Sequence, residues 1–441
     1  MWKILDVGFA CIRLAAAVVI IWWALDWRSP FMASIRIWAL AGFVLIPLGV
    51  VAVEIVNLRR VRVPYGIRAF NVISLVLSVL SLLCVLSLEA RFQWIRYEVL
   101  HAGAAQLEKL GRHIVVGYRN RSELEALIDR RAIAGVFLTA RNVQARDEAS
   151  IRRDVAELQD MRRRHRLPAL IVATDQEGGG VSRLSPPLAR LPPLSMVVGP
   201  HADPAGRRKA VEDYAAAQAR GLSDLGVNVN FAPVVDVDQG LDNPDDRMTR
   251  IHMRAISKDP QVIADVAGTY CSQMLNHGVH CTLKHFPGLG RVFEDTHLHT
   301  ADLTAPLDQL AKTDWLPFRS LMCCSGNLVM LSHARLVALD PDRPVSFSRA
   351  VVGDLLRKDW GHEGVLITDD FSMGAVVWSP YGIAGASVAA LNAGVDLILV
   401  SYDPDQFFFV MYSLIEADRA GLLENDQLVR SRERLKRTFG Q

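Results

Sequence analysis

The segment that organises this chain is G-V-H-C-T-L-K-H-F-P-G-L-G-R-V-F-E-D-T-H, residues 278–297. Its first six residues, Gly278–Leu283, predict a short buried strand. The residues that follow it include a cation, two imidazoles and a carboxylate: Lys284, His285, His297 and Asp295. Because α/β barrels carry their active sites at the carboxyl ends of their strands, this arrangement predicts a catalytic loop. The alternative is a solvated turn with a structural histidine pair.

The chain around this segment alternates short apolar runs with longer amphipathic stretches. Eight runs predict strands: Ile114–Gly117, Gly135–Thr139, Ala169–Thr174, Val227–Val235, Val279–Leu283, Leu328–Leu331, Gly364–Thr368 and Val395–Val400. Helical patterns lie between them, for example Glu148–Arg164 and Gln261–His277. The alternation predicts an α/β fold, a single (β/α)8 TIM-type barrel. A doubly wound open sheet is the alternative, but no G-x-G-x-x-G follows an early strand to support it.

Composition limits the classes of partner. The 441 residues carry a formal net charge of only +2, so bulk electrostatics give no reason to expect a nucleic-acid partner. The cysteines and histidines show no zinc-like spacing and no C-x-x-C. The spacing gives no sign of a zinc site, and we predict that the protein requires neither a metal nor an organic cofactor.

The first ninety residues differ sharply from the rest. Ala69–Leu88 contains no charged residue and is about long enough to cross a bilayer, and Ile37–Val53 is also uncharged. Val7–Leu25 is interrupted by Arg13, so it predicts either a third span or an interfacial helix. Residues 1–90 are therefore predicted to contact membrane lipid through two or three transmembrane helices. Core helices of a soluble domain are the alternative.

Charge around these runs predicts an orientation. The loop Asn57–Ala69 holds four arginines, Arg59, Arg60, Arg62 and Arg68, whereas the segment after the last span offers Arg91 and Arg96. By the positive-inside rule the richer loop stays in the cytoplasm. Residues 91–112 then form a helical linker, and residues 113–441 form a barrel that faces the periplasm from a multi-pass inner-membrane anchor.

Polar residues collect at the predicted carboxyl ends of the strands. After the third strand come Asp175, Gln176, Glu177 and Arg183; the fourth is followed by Arg247, Arg250 and Arg254, the sixth by His333, and the seventh ends in Asp369-Asp370. Folding of a barrel does not require these residues at this face. Charged side chains that converge there suit a polyhydroxylated ligand, because they form bidentate hydrogen bonds with vicinal hydroxyls.

Four motifs give these residues a family resemblance. They are D-Q-E-G-G at Asp175, N-F-A-P-V-V-D-V at Asn230, K-H-F-P-G-L-G followed by D-T-H, and T-D-D-F-S-M-G-A at Thr368. In this order they resemble glycoside hydrolase family 3, specifically its β-N-acetylglucosaminidase branch. The resemblance runs from about Ile114 to Leu399 and does not include the N-terminal apolar runs.

The resemblance implies a role for each matching residue. Asp369 corresponds to the family's nucleophile, His297 to its acid/base and Asp295 to the partner of that histidine. The residues that hold the sugar correspond to Asp175, Arg183, Arg254, Lys284 and His285. An imidazole suits acid/base work because it titrates near neutral pH, and Asp295 would fix its tautomer. Lys284 and Arg254 would keep the pKa of the nucleophile low. Asp370 is expected to be structural, since strand neighbours point to opposite sides.

Three positions depart from the family pattern. Gly180 stands where the family has arginine, Leu289 replaces a second histidine, and Ile256 replaces an aromatic residue. None of them is a predicted catalytic or sugar-binding residue.

The resemblance implies a retaining exo-β-N-acetylglucosaminidase that acts on a carbohydrate substrate such as peptidoglycan fragments. A phosphorylase or a β-glucosidase of the same family is an alternative. A non-catalytic sugar-binding membrane protein is another, against which the joint presence of Asp369, Asp295 and His297 speaks.

Overall fold

The computed structural model describes residues 2–60, 65–201, 203–322 and 326–440. Arg62, one of the arginines used above to predict an orientation, lies outside these residues. The chain divides into two compact units, of which the first ends at His101 and the second begins at Ala102.

The first unit is helical. In its described part three long helices, Trp2–Leu25, Arg36–Leu58 and Tyr65–His101, accompany a short 3-10 helix at Pro30–Met32. The first and second long helices both pack against the third. Arg36–Leu58 and Tyr65–His101 are long and apolar enough to cross a membrane, judged by length and composition.

The second unit is built on a closed barrel of parallel strands, eight among the described residues. These are β1 Ile114–Gly117, β2 Gly135–Leu138, β3 Ile171–Thr174, β4 Val229–Asn230, β5 His280–Phe286, β6 Leu328–Leu331, β7 Leu366–Asp370 and β8 Leu397–Val400. Each strand pairs with the next along the chain, and Ile114 pairs with Ile398 to close the ring. This topology confirms the predicted (β/α)8 barrel.

Helices connect and surround the strands. In the described part of this unit they are Ala104–Gly111, Arg121–Asp129, Ala140–Val143, Glu148–Arg164, Leu194–Val198, Pro204–Asp224, Ile251–Arg254, Pro260–Asn276, Leu307–Lys312, Leu316–Leu321, Gly374–Val377, Gly382–Ala393, Gln406–Arg419 and Asn425–Phe439, with a 3-10 helix at Val345–Phe347 and a π-helix at Ala350–Asp359. Among the described residues, two small sheets lie outside the barrel: an antiparallel pair, Gln176–Gly178 with Val181–Ser182, and a parallel pair, Ala301–Leu303 with Ala334–Leu336.

Local sequence signals explain where the connecting helices begin and end. Asp147 caps Glu148–Arg164, because its carboxylate accepts a hydrogen bond from Ser150 N at 2.8 Å. Pro260 opens the crossover helix Pro260–Asn276, where its missing N–H costs nothing. That helix is followed by Gly278 at φ +75°, a left-handed conformation that favours glycine. These residues therefore fix where the crossover helices begin and end between consecutive strands.

The interior of the barrel is filled by inward-facing side chains. Val115, Phe137, Ala173, Val229, Phe231, Met330, Ile367 and Leu399 belong to one buried cluster. The rings of Phe137 and Phe231 stack with their centroids 5.6 Å apart. Leu435, from the C-terminal helix, joins this cluster. Layers of this kind make the barrel a packed core, so ligands meet it only at its ends.

A buried network of ion pairs links the C-terminal helix to the amino-terminal end of the barrel. The Asp396 carboxylate, which precedes β8, pairs with Arg434 Nε at 2.8 Å and with Arg357 Nη2 at 2.6 Å. All three side chains are buried or nearly so. His113, fully buried just before β1, lies beside the same aspartate, with its Nδ1 2.9 Å from Asp396 O.

His113 is expected to make the folded protein sensitive to acid. Burial lowers the pKa of His113 from 6.5 to about 4. An unfolded chain would protonate this residue first, so the free energy of unfolding is intact above pH 6.5 and falls by about 3 kcal/mol as the pH drops to 4. His113→Asn keeps a donor for Asp396 O and cannot titrate. Urea unfolding at pH 7 and pH 4 is expected to show a smaller loss in this variant, and equal losses would contradict the assignment.

Candidate active site

The predicted site residues meet at one end of the barrel. Asp175 directly follows β3, Lys284 and His285 lie within β5, and Asp369 lies within β7. Because the strands are parallel, their carboxyl ends share one face. Arg254 reaches that face from the end of the short helix Ile251–Arg254.

Two irregularities in strand pairing coincide with these residues. The register of β5 against β6 shifts between Leu283 and Phe286, and that of β7 against β8 shifts between Ile367 and Asp370. Such bulges change the direction of the side chains they carry and are frequent beside active sites. Lys284 and His285 lie in the first irregularity, and Asp369 lies in the second.

A buried ion network forms the base of the site. Lys284 Nζ lies 2.7 Å from Asp175 Oδ1 and 2.6 Å from Glu177 Oε1. Arg254 binds the same glutamate in bidentate fashion, with Nε to Oε2 at 2.9 Å and Nη2 to Oε1 at 2.6 Å. Burial would raise the pKa of Glu177, but Arg254 and Lys284 hold it well below its usual range. Glu177 is therefore a permanent anion that positions both cations.

The two carboxylates of this network, Asp175 and Glu177, differ in their exposure to solvent. The Glu177 side chain is 6% exposed, whereas that of Asp175 is 21% exposed. Asp175 is thus the carboxylate that can accept hydrogen bonds from a ligand, while Glu177 is enclosed by its partners. Arg183 is exposed, and its backbone lies next to that of Asp175, because Arg183 N–H donates to Asp175 O at 3.0 Å.

A second buried carboxylate, Asp236, fixes His285. Asp236 Oδ2 lies 2.7 Å from His285 Nδ1, and both carboxylate oxygens lie 3.1 Å from the His285 backbone N–H. The other ring nitrogen of His285, Nε2, lies 3.3 Å from Arg254 Nη2. Asp236 also accepts the backbone N–H of Leu289 at 2.7 Å. One carboxylate therefore holds both the imidazole and the turn that follows it.

His297 and Asp295 form a third hydrogen-bonded pair. His297 Nδ1 lies 2.8 Å from Asp295 Oδ1, which also accepts the His297 backbone N–H at 3.0 Å. Thr249 Oγ1 donates to the same oxygen at 2.9 Å. Burial would raise the pKa of Asp295, but the hydrogen bond from His297 helps to lower it to about 2. The Asp295 side chain is 2% exposed and that of His297 is 30% exposed, so the aspartate is buried behind an accessible imidazole.

Asp369 and Asp370 have different environments. The Asp370 carboxylate accepts hydrogen bonds from Ser372 N, Ser401 N, Ser401 Oγ and Tyr402 N, at 2.5 to 3.1 Å. Asp370 therefore has a structural role, as predicted from the rule that neighbouring side chains of a strand point to opposite sides. Asp369 Oδ1 accepts the N–H of Asp370 at 2.8 Å, which leaves acceptor capacity for a ligand.

The charge state of Asp369 is set by imidazoles. Burial alone would raise the pKa of the Asp369 carboxyl. The nearby imidazoles of His285, His333 and His297 outweigh burial, so the pKa lies below its usual value. The predicted source of this effect, Lys284 and Arg254, is instead engaged by Glu177. Asp369 is thus an ionised carboxylate at neutral pH.

The loops that carry His297 and follow Asp369 are directly joined. Gly374 N donates to His297 O at 2.8 Å. A Cβ added at Gly374 would lie 2.6 Å from Leu298 O, so any other residue would push the two segments apart. Glycine at this position therefore permits the close approach of the two backbones.

Leu289 occupies an apolar setting in place of the family's histidine. It is 3% exposed and belongs to a buried cluster with Ile251, Ala255, Ala301 and Ala334, against which Val292 packs. The cluster joins the turn after β5 to the helix that ends in Arg254. Gly180, another position that departs from the family pattern, has open space where a Cβ would stand.

Asp236 and Thr249 were not predicted as site residues, and Glu177 was placed at this face without a role. Glu177 and Asp236 stand inside motifs quoted from the sequence, and each lies within a few residues of a predicted partner or strand end. Two neighbouring cations, Lys284 and Arg254, were a signal that a second buried carboxylate was needed beside Asp175. Thr249 carries no such signal, since only the fold brings it to Asp295 from 46 residues away.

Comparisons with known proteins agree with this geometry. The glycosyl hydrolase family 3 N terminal domain matches residues 105–438. The beta-hexosaminidases of Stenotrophomonas maltophilia (strain K279a) and Xanthomonas euvesicatoria pv. vesicatoria (strain 85-10) are each 35% identical over 272 residues, 62% of this chain and 77% of each relative.

Solved structures of similar proteins share the barrel. LpqI of M. tuberculosis is 30% identical, with a TM-score of 0.66 over 76% of this chain and 93% of that one. A family 3 β-N-acetylglucosaminidase from Paenibacillus sp. str. FPU-7 is 27% identical, with a TM-score of 0.68 over 76% of this chain and 62% of that one. The family match extends over most of the second unit and includes every predicted site residue, and the chain belongs to glycoside hydrolase family 3.

Proposed function

We propose that this chain is a retaining exo-β-N-acetylglucosaminidase of the branch that the sequence resembles. It removes terminal β-linked N-acetylglucosamine from peptidoglycan fragments or related glycans. The observation that carries the proposal is the accessible imidazole of His297, held 2.8 Å from buried Asp295 by its Nδ1, at the face that also presents ionised Asp369. The names of the similar beta-hexosaminidases and β-N-acetylglucosaminidases support the same substrate.

In the first half of the reaction, Asp369 attacks the anomeric carbon of the terminal sugar. The glycosidic bond breaks, and the leaving oxygen takes a proton from His297 Nε2. The products of this step are a glycosyl ester on Asp369 and a free alcohol. The Asp295 carboxylate supports the step, because it orients the ring through Nδ1 and stabilises the protonated imidazole before transfer.

In the second half, neutral His297 removes a proton from water as the water oxygen attacks the same carbon. The ester bond breaks, Asp369 leaves as a carboxylate, and His297 regains its proton. Two inversions at one carbon give net retention of configuration.

The sugar is held by the polar residues around the network. Asp175 accepts and Arg183 donates hydrogen bonds to hydroxyls, and Lys284, Arg254 and His285 complete the binding surface. The partial exposure of Asp175, at 21%, supports this division of roles within the otherwise buried network. Because Glu177 already holds Lys284 and Arg254 in position, the binding of the sugar requires little rearrangement of these charged side chains.

An assay of the full chain in neutral detergent tests the proposal. Its kcat/KM for an aryl β-N-acetylglucosaminide is expected to exceed that for the aryl β-glucoside by roughly 100-fold or more, since the acetamido group adds polar contacts. The product is expected to be free β-N-acetylglucosamine whether or not phosphate is present. A sugar 1-phosphate would instead identify a phosphorylase, a preference for the glucoside would identify a β-glucosidase, and no turnover would overturn the enzymatic proposal.

Thr249→Val is expected to lower kcat by roughly 10- to 100-fold and to leave KM nearly unchanged. The hydroxyl donates to Asp295 at 2.9 Å, and loss of a hydrogen bond to a charged group typically costs about 1.5–3 kcal/mol. Thr249→Ser restores the donor and serves as the matched control. Steady-state kinetics on the aryl substrate give both parameters. Equal kcat values for the valine variant and wild type would show that Thr249 does not position the pair.

We further propose that residues 1–90 anchor the enzyme in the inner membrane through two or three helices, with residues 91–112 as linker and 113–441 as the periplasmic barrel. The distribution of side chains in the first unit supports an anchor. Large apolar residues face outward, among them Trp22 at 70% and Ile37 at 81% exposure. Polar residues face inward, since Glu54 and Ser78 are both 0% exposed.

This inverted pattern is typical of helices surrounded by lipid. Arg13 Nε pairs with the buried Glu54 carboxylate at 2.7 Å, so two opposite charges meet between helices. A reporter fused after the C-terminal residue tests the orientation. Activity of an alkaline phosphatase fusion is expected, because that enzyme folds only outside the cytoplasm; an active cytoplasmic reporter at the same position would reverse the proposed topology.

A further inference from the structure

A basic cavity lies at the end of the barrel opposite the candidate active site. Its volume is about 230 Å³, and its lining includes Glu108 and five arginines: Arg112, Arg131, Arg162, Arg166 and Arg432. Arg112 precedes β1, Arg131 precedes β2, and Arg162 and Arg166 precede β3. These residues therefore surround the amino-terminal end, where Leu435 closes the barrel interior.

The positive charges in this cavity are largely uncompensated. Glu108 is shared, with Oε2 at 2.8 Å from Arg131 Nη1 and Oε1 at 4.0 Å from Arg112 Nη2. Within the described parts of the chain, Arg162, Arg166 and Arg432 form no ion pair with a carboxylate. One anion therefore faces five cations across a small volume.

Arg162 shows that the cavity is built from the interior of the protein. This side chain is only 4% exposed, and its guanidinium donates to Ile133 O at 2.9 Å and Pro168 O at 3.1 Å. Both partners are neutral carbonyl oxygens. Burial accordingly lowers the pKa of Arg162 to about 10. The charge remains at neutral pH and is fixed in direction by two bonds.

Repulsion among the arginines of the cavity also favours a bound anion. Burial and the like charge of Arg432 lower the pKa of Arg112, against the attraction of Glu108. Favourable charge at a helix C-terminus explains Arg162, which lies in the last turn of Glu148–Arg164. It does not explain Arg432, which lies in the middle of Asn425–Phe439. An anion in the cavity would relieve both burial and repulsion.

Size and charge identify the class of anion. The volume of about 230 Å³ is several times the ~30 Å³ that one water occupies, and smaller than the ~300–1,000 Å³ of pockets for drug-sized ligands. Guanidinium groups match phosphate oxygens with paired hydrogen bonds. We propose that this cavity binds a phosphate group, carried either by a small soluble phosphate or by the head group of an anionic lipid.

The test compares two pairs of substitutions in the full chain, purified in neutral detergent. Arg166→Gln with Arg432→Gln removes two exposed cations from the cavity. Arg164→Gln with Arg430→Gln removes two exposed cations from the same two segments, outside the lining, and is the matched control. Unfolding temperatures of both pairs check that each folds, and Arg432→Gln alone replaces the cavity pair if that pair does not.

Two ligands distinguish the sources of phosphate. Inorganic phosphate is titrated calorimetrically at constant ionic strength, with excess N-acetylglucosamine present to occupy the candidate active site. Separately, retention of phosphatidylglycerol against phosphatidylcholine is measured by native mass spectrometry from mixed micelles. Loss of two charge-assisted contacts is expected to weaken binding about tenfold or more in the cavity pair only.

Each outcome decides the proposal. Phosphate affinity that falls in the cavity pair but not in the control supports a soluble phosphate ligand. Phosphatidylglycerol retention that falls in the cavity pair alone, with no saturable binding of inorganic phosphate, supports a lipid head group. If neither ligand binds, or if the cavity pair weakens binding no more than the control pair does, the cavity is not a phosphate site. The hydrolysis assay on wild type is independent of all three results.

Discussion

Replacing Asp369 by asparagine is expected to reduce kcat by about 10⁴-fold or more, because the amide is a poor nucleophile and cannot form the glycosyl ester. The side chain keeps its size and can still accept the N–H of Asp370, which now spans 2.8 Å. The fold and the sugar-binding network should therefore persist. Steady-state turnover of an aryl β-N-acetylglucosaminide by the full chain measures the effect.

Asp370→Asn is the neighbouring control, and it should behave differently. Its carboxylate accepts four hydrogen bonds from the segments after β7 and β8, so the amide leaves some of these donors without a partner. We expect a loss of about 1–3 kcal/mol in the free energy of unfolding, with activity well above that of Asp369→Asn. Wild-type turnover in Asp369→Asn, or a greater loss of turnover in Asp370→Asn, would reverse the assignment of the two aspartates.

His297→Ala is expected to lower kcat by about 10²–10⁴-fold for substrates whose leaving group needs a proton. A dinitrophenyl glycoside, whose leaving group departs as an anion, should still glycosylate Asp369. Removal of the ester then becomes slow, because no base activates water. Intact-protein mass spectrometry is therefore expected to detect a glycosyl-enzyme in this variant and not in wild type.

Azide provides a second readout for the same variant. It attacks the ester without base assistance, so it should accelerate turnover of the dinitrophenyl substrate and yield a β-glycosyl azide. His299→Ala removes another histidine from the same loop, two residues away, and is the control. Absence of both the ester and azide rescue in His297→Ala would exclude this residue as the acid/base.

The barrel could be predicted from the sequence because its strands are apolar runs separated by amphipathic ones. The bounds of β1 and β6 were predicted as observed. The fourth strand was predicted as Val227–Val235, but β4 is only Val229–Asn230. Pro233 lacks the N–H that a longer ladder would need, and the chain beyond Asn230 makes single contacts such as Val235 N to Lys284 O at 2.8 Å.

Most of the site could be predicted because its residues stand in contiguous motifs, and Arg183 and Arg254, which lie outside those motifs, followed from the family resemblance. The residues inside the motifs are Asp175, Lys284, His285, Asp295, His297 and Asp369. Partners contributed by distant loops, such as Thr249, were invisible because side-chain proximity depends on the loop path. Leu289 illustrates the same limit: its effect depends on Ile251 and Ala255, which pack with it in the folded chain.

The hydrogen bond from Gly374 N to His297 O couples the loop that carries His297 to the segment that follows Asp369. A change that lengthens or shifts the His297 loop must move the segment after Asp369 with it, since a Cβ at Gly374 would already collide with Leu298 O. Evolution of new specificity in this scaffold should therefore exchange the two loops together. A transplant of the His297 loop from a relative is expected to succeed only when residues 371–377 come from the same donor.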